Sequence, residues 1–301
     1  MVDVVLRDVT LRDGLQDEEP VSTDAKLAIV EALVAAGVRE LELTSFVRPD
    51  RVPAMADAEA LCEATGHVAD AVTRWGLVLN GRGAERALAA GLRHLQFVVS
   101  VTDAHSQRNA GRPTDDAVAD LAAVVALARA GGGVVEVTLA CSFGCPYERE
   151  VPVERVVDVA ARAADAGVTS IGLADTIGVA IPSEVRALVT VVAAAVDRPL
   201  GVHLHDTRGL GMANALAAID VGIRRLDGSV GALGGCPFAP GASGNLALED
   251  LAHALEADGV ATGLDVDGLI EAASIACATV GRDVGSHVGI AGPRFAPRRG
   301  A

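Results

Sequence analysis

His203 and His205, separated by one residue in the segment LGVHLHDT, are the strongest chemical signal in the chain. In a strand, alternate side chains share a face, so both imidazoles would project to the same side. Two neutral ring nitrogens on one face suit a divalent cation. A lone histidine is more often a hydrogen-bonded core residue, but a pair followed by Asp206 favours ligation. Hard oxygen donors to complete such a site are Asp13, in LRDGLQ, and the amide oxygen of Asn245, in GASGN. No cysteine sits at an obvious tetrahedral spacing. The donor mixture therefore favours Mg²⁺ or Mn²⁺ over structural zinc and leaves catalytic Zn²⁺ open.

Arg12 and Asp13 are adjacent and followed by Gly14, which calls for a turn. A surface ion pair is the plain interpretation. The sharper one gives Asp13 to the metal and makes Arg12 a fixed cationic fork for a carbonyl or enolate oxygen. Glu42 lies inside the apolar run LELTSF and needs a partner, which Arg12 would supply. Asp175, in LADTIG, is either a site carboxylate or a strand-end helix cap. Cys236 sits among glycines and prolines in GALGGCPFAPGASGN, the setting of a mobile loop rather than a packed helix. Cys141 and Cys145, in ACSFGCP, are not a CxxC pair, and a structural or loop-shaping role is expected.

Composition removes several functions. Lys26 is the only lysine among 25 basic residues, so Schiff-base chemistry has one candidate. It falls in an amphipathic stretch, where a solvated surface position is expected. A net charge of −15 and a pI near 4.8 argue against nucleic-acid and anionic-membrane partners. Five scattered cysteines do not form a disulfide framework, which points to a reducing compartment. No apolar run has the length of a membrane span, and MVDVVLRDV reads as a strand rather than a leader. A cytoplasmic protein is expected.

One phrase recurs: AAGVRELEL at 35–43, AAGLRHLQFVV at 89–99, ARAGGGVVEVTL at 128–139, ADAGVTSIGLA at 164–174 and DVGIRRLDGSV at 220–230. Each is a helix end, a glycine able to turn left-handed, and a buried strand. Further strands are read at 4–9, 74–79 and 200–206, and helices at 22–36, 114–130 and 182–195. The α/β rhythm predicts a (β/α)8 TIM barrel with an additional C-terminal helical segment, with a doubly wound open sheet as the weaker alternative. One domain over 1–301 is expected, the barrel ending at about 260 and a helix at 265–281 preceding a loose tail over 282–301. Chemistry in such a barrel sits at the C-terminal strand ends. Polar residues there include Arg12, Asp13, Glu42, Asn80, Asp175, His203 and His205.

The segments LRDGLQDE at 11–18, TSFVRPDRVPAMAD at 44–57, GCPYE at 144–148, ADTIG at 174–178, HLHDTRG at 203–209 and SVGALGGCPFAPGASGNLALEDL at 229–251 resemble the 3-hydroxy-3-methylglutaryl-CoA lyases of the DRE-TIM metallolyase superfamily. The Gly-Gly-Cys-Pro loop with GASGN is the most specific of these, because the superfamily's condensing enzymes share the RDG and HxHD patterns but not this loop. The resemblance implies a metal-dependent cleavage of 3-hydroxy-3-methylglutaryl-CoA, or a related 3-hydroxyacyl-CoA, to acetyl-CoA and a second fragment, acetoacetate in the named case. It places metal ligands on Asp13, His203, His205 and Asn245, the catalytic arginine on Arg12 and the loop cysteine on Cys236. Supporting positions fall on Gln16, Glu42, Asp175 and Glu249. An acyl-CoA partner gives Arg48, Arg51, Arg82 and Arg108 a role in holding phosphates, with Asn80 beside them. The family commonly serves leucine degradation. A homodimer stays open. The chain departs from better-known lyases at DVTLRDG, where many have Gly-Pro before Arg-Asp, at Arg208 in place of tyrosine, and after 282. The alternatives are an acyl-CoA condensing enzyme or metal-dependent 2-oxo acid aldolase of the same superfamily and, less favoured because every matched position is filled, a non-catalytic barrel.

Overall fold

A computed structural model describes residues 3–68, 70–235 and 244–295. Eight parallel strands close into a barrel in sequence order, which settles the choice against an open sheet. The first half alternates β1 (Val5–Asp8), α1 (Thr23–Ala35), β2 (Glu40–Ser45), α2 (Ala58–Ala64), β3 (Thr73–Val78), α3 (Gly81–Ala89), β4 (His94–Ser100), α4 (Asp103–Ala110) and α5 (Thr114–Ala130). The second half follows with β5 (Val134–Ala140), α6 (Val153–Asp165), β6 (Ile171–Asp175), α7 (Pro182–Ala195), β7 (Leu200–Leu204), α8 (Gly211–Asp220), β8 (Arg225–Gly228) and α9 (Leu248–Ala257). Helices α10 (Val266–Thr279) and α11 (His287–Ala291) complete the described chain.

The repeated helix-to-strand phrase works as its chemistry suggests. Gly37, Gly91, Gly167 and Gly222 all adopt positive φ, between 88° and 105°, a region costly for any residue with a Cβ. At Gly37 space also matters, because a Cβ would stand 2.8 Å from the Gly263 carbonyl, where the segment before α10 crosses the end of α1. Between helices and strands lies the apolar core, with Ile29, Val30 and Leu33 of α1 and Leu41 and Leu43 of β2 fully buried. Inside the barrel, alternation turns the other face of each strand to the lumen, and there the sequence places charge.

Two expectations are corrected. Lys26 is 1% exposed rather than solvated. The chain at 53–57 folds over the first turn of α1, so the ammonium donates to the Ala54 carbonyl at 2.6 Å and pairs with Asp57. The region after 282 is not a loose tail throughout. The Asp250 carboxylate of α9 accepts the amide N–H groups of His287 and Val288 at 2.9 and 2.7 Å, capping α11 from a distant part of the chain. Among the described residues no helix is long and apolar enough to cross a membrane.

Candidate active site

Arg12 and Asp13 sit in a π-helical turn, Thr10–Gly14, that follows β1 at the barrel mouth. The Val9 carbonyl receives both the Asp13 N–H at 2.8 Å and the Gly14 N–H at 3.1 Å. The wider turn keeps Leu11 and Leu15 in the core while Arg12 and Asp13 face the lumen together. Arg12 is not a surface residue; it bonds Asp13 and reaches Glu42 of β2 at 2.9 Å, both from its terminal nitrogens. Its Nε has no hydrogen-bond partner among the described residues. Burial disfavours a charged guanidinium, yet the carboxylates of Asp13 and Glu42 outweigh it and keep Arg12 protonated.

His203, in β7, and His205, one residue past its end, point into the lumen, their Nε2 atoms 3.1 Å apart. Asp13 Oδ2 lies 3.9 Å from His203 Nε2 and 3.5 Å from His205 Nε2. Asn245 arrives from a distant segment because the returning chain pairs with two strand ends, His205 opposite Asn245 and Ser229 opposite Ala247. Its Nδ2 donates to Asp13 Oδ2 at 2.7 Å and to the Leu233 carbonyl at 3.2 Å. Gly234, at φ +114°, makes room, since a Cβ there would stand 2.6 Å from Asn245 Nδ2. Asn245 Oδ1 is buried without a hydrogen-bond partner among the described residues. A buried oxygen left unpaired is uncommon. The Asn245 amide adjoins Asp13, which with His203 and His205 forms a group whose ligand atoms all lie within 4.8 Å of one another. One carboxylate, two imidazoles and an amide oxygen are a donor set that fits a divalent cation.

Electrostatics keep Asp13 ionised. Burial works against a charged Asp13, but Arg12 and the two histidines outweigh it and keep the carboxyl well below its ordinary range. Burial likewise opposes an imidazolium at His203, and the bond to Asp227 with the field of Asp13 raises its pKa above the usual histidine value.

Beneath the cluster is a second polar layer. Asp227 of β8 is the register partner of Arg7 on one side and of His203 on the other. Its carboxylate accepts from Arg7 Nε and Nη2 at 2.9 and 3.2 Å and lies 3.3 Å from His203 Nδ1. Arg7 also donates to Glu136 at 2.9 Å, and Glu136 pairs with Arg225. The histidines were singled out from the sequence, but Asp227, Arg7, Glu136 and Arg225 were not. The available signal was a charge at an inward position of an apolar strand, as in VVEVTL, the same signal that marked Glu42.

A cavity of about 1300 Å³ opens from Arg12, Asp13 and His203 toward the ends of β2, β3 and β4. Gln16, Asn80, Arg48, Arg51, Arg82 and Arg108 line it. Arg48 pairs with Asp50 at the surface, and Arg108 stacks over Tyr147 at 4.5 Å. Asn80 accepts the Gly83 N–H at 2.9 Å and so caps α3. Asp175 and Glu249 are buried away from this lining. Both Asp175 oxygens accept backbone N–H groups, from Val179 and Ala180 at 2.9 Å, closing the loop after β6. Glu249 accepts the Gly231 N–H at 2.8 Å, at the base of the segment leading to Cys236. Cys236 itself lies outside the described residues.

The HMGL-like family model matches residues 3–276. The chain is 42% identical over 303 residues to the (R)-citramalyl-CoA lyase of Chloroflexus aurantiacus, covering 97% of this chain and 96% of that one. It is 35% identical over 272 residues to a hydroxymethylglutaryl-CoA lyase of Bacillus subtilis, covering 90% and 91%. A solved HMG-CoA lyase of Acinetobacter baumannii, in complex with coenzyme A and 3-methylmalate, matches with a TM-score of 0.92 at 36% identity, over 98% of this chain and 97% of that one. Barrel, lumen cluster and relatives together define a lyase of the DRE-TIM class. The chain belongs to the HMGL-like family of hydroxymethylglutaryl-CoA lyases. The two curated relatives carry different acyl groups in their names.

Proposed function

We propose that the protein is a divalent-metal-dependent carbon–carbon lyase acting on a 3-hydroxyacyl-CoA thioester. The observation that carries this is the convergence of Asp13, His203, His205 and the unpaired Asn245 Oδ1 beside Arg12, at the end of a cavity large enough for such a thioester. Those four side chains would hold the cation, with Mg²⁺ or Mn²⁺ suited to the oxygen-rich set. When bound, the cation supplies Lewis-acid polarisation of the tertiary hydroxyl at C3, lowering its pKa. Asp13, a carboxylate with more than one acceptor position, is placed to receive that proton. Electrons of the O–H bond become the new C3 carbonyl, and those of the C2–C3 bond pass to C2 as the enolate of acetyl-CoA. Arg12, fixed by Glu42, meets the developing charge on the thioester oxygen with little reorganisation. We assign the proton that quenches the enolate to Cys236 on its place in the sequence. Arg48, Arg51, Arg82 and Arg108 supply the local positive charge that an overall acidic chain needs to hold CoA phosphates.

Two substrates fit. Cleavage of 3-hydroxy-3-methylglutaryl-CoA gives acetyl-CoA and acetoacetate, and cleavage of citramalyl-CoA gives acetyl-CoA and pyruvate. The 42% identity to a citramalyl-CoA lyase supports the second, and the 35% identity to the Bacillus enzyme the first. Mass spectrometry of products from both thioesters with Mg²⁺ or Mn²⁺ decides between them. Acetyl-CoA is expected from at least one, and its absence from both would overturn the proposal.

A further inference from the structure

The inner end of the cavity is walled by apolar residues, Leu77, Val98, Ala140 and Ala174. One polar pair interrupts it. Gln96 of β4 and Thr138 of β5 stand lowest on their strands among the lining residues and are 1% and 7% exposed. Gln96 Nε2 donates to Thr138 Oγ1 at 2.8 Å. Gln96 Oε1 is buried with no hydrogen-bond partner among the described residues. Glu136, the register partner of Gln96, is neutralised by Arg7 and Arg225, so it does not repel an anion at this level.

A primary amide exchanges its two ends by a half turn about its last carbon–carbon bond, with almost no change in shape. After that turn the Thr138 hydroxyl donates to Oε1, and the NH₂ group occupies the unpaired position. A carboxylate in the cavity then accepts from the amide NH₂ group, and neither end of the amide is left without a partner. An alkyl group in the same place leaves one amide end unpaired in either orientation. With the thioester arm directed toward the arginines and the reacting carbon beside Asp13 and His203, the remote end of the acyl chain meets this pair.

We propose that Gln96, oriented by Thr138, binds the free carboxylate at the acyl end remote from the thioester, restricting the enzyme to 3-hydroxyacyl-CoA substrates that carry one. This assignment rests on the acyl-CoA lyase function proposed above. It is tested by calorimetric binding to the metal-free protein, using hydroxymethylglutaryl-CoA, citramalyl-CoA and the carboxylate-free 3-hydroxy-3-methylbutyryl-CoA. The wild type should bind the tighter of the two carboxylate thioesters about 10–100-fold better than the third, the scale of one buried polar group left unpaired. Gln96→Leu and the near-isosteric Thr138→Val should each reduce that ratio to within about threefold, and Gln96→Glu should invert it by charge repulsion. Thermal melts confirm that each variant folds. A wild-type ratio near one, or a ratio unchanged in both Gln96→Leu and Thr138→Val, would overturn the assignment. Turnover of the same thioesters with Mn²⁺ is read separately. No cleavage with the wild-type binding ratio intact would sink the lyase function and leave the carboxylate pair standing.

Discussion

In the lower polar layer of the lumen, two arginines face two carboxylates and each charge is met, Arg7 by Asp227 and Glu136, and Arg225 by Glu136. In the upper layer, two imidazole Nε2 atoms stand 3.1 Å apart and the Asn245 oxygen has no partner among the described residues. The upper layer gathers a carboxylate, two imidazoles and an amide, donor types that suit a cation, whereas the lower layer is a closed set of ion pairs, complete as it stands. The lower layer supports the barrel, and the upper layer presents its donor atoms at the barrel mouth. Asp227 belongs to both, through Arg7 below and His203 above.

Breaking the lower layer should cost the most stability. Arg7→Met leaves buried Asp227 facing only His203 and takes one of two arginines from Glu136, and a loss of about 3–5 kcal/mol is expected in urea unfolding. A value below about 1 kcal/mol would mean that water already screens the layer. Breaking the upper layer should remove turnover. Arg12→Gln is expected to lower kcat by about 10²–10³-fold, the cost of one donor aimed at a developing oxyanion. Unchanged Mn²⁺ binding with unchanged unfolding would place that loss in the chemistry.

Asp227→Asn acts at the join between the layers. Oriented by a carboxylate at Nδ1, His203 presents Nε2 to the metal position, and loss of such support weakens metal binding by about 10–100-fold. Calorimetry with Mn²⁺ reads this directly, and equal affinity in both proteins would confine Asp227 to the structural layer. Glu249 sharpens the comparison from outside the lumen, because burial pushes its pKa up to about 7. The neutral form is the one favoured by folding. Its contribution is therefore fully present below the unfolded carboxyl value near 4 and is lost as pH rises through about 7. Glu249→Gln stays neutral, so its melting temperature should gain on the wild type between pH 5 and pH 8; parallel curves would contradict the shift. The smallest effect is expected at the exposed rim. Arg82→Gln should raise KM for an acyl-CoA by about two- to fivefold at low salt, with the difference fading at high salt.

Much of the frame was legible because it rests on local chemistry. Gly37, Gly91, Gly167 and Gly222 end helices where only glycine turns at low cost, and the runs after them enter the sheet. Strand alternation put His203 and His205 on one face without knowledge of the other strands. The placement of Asn245 was not local: it depends on a returning chain that pairs with the ends of β7 and β8. The burial of Lys26 was missed for the same reason, since Asp57 covers it from 31 residues away. The π-helical turn at Thr10–Gly14 escaped notice because its wide hydrogen-bonding pattern leaves no periodic signature over five residues.

By itself, then, the sequence determined the alternating elements, the inward histidine pair and the chemical types of the candidate donors, because helix caps, strand alternation and ligand preference act within a few residues. Tertiary structure decided which charges are closed into pairs and which are left facing one another. Barrel closure brings β1, β5, β7 and β8 around one lumen, and only their register places Asp227 between Arg7 and His203, while the Asn245 oxygen has no partner among the described residues. A buried charge is stabilised or destabilised by whatever lies within a few ångströms across the lumen, and that neighbour is set by strand register rather than by proximity along the chain.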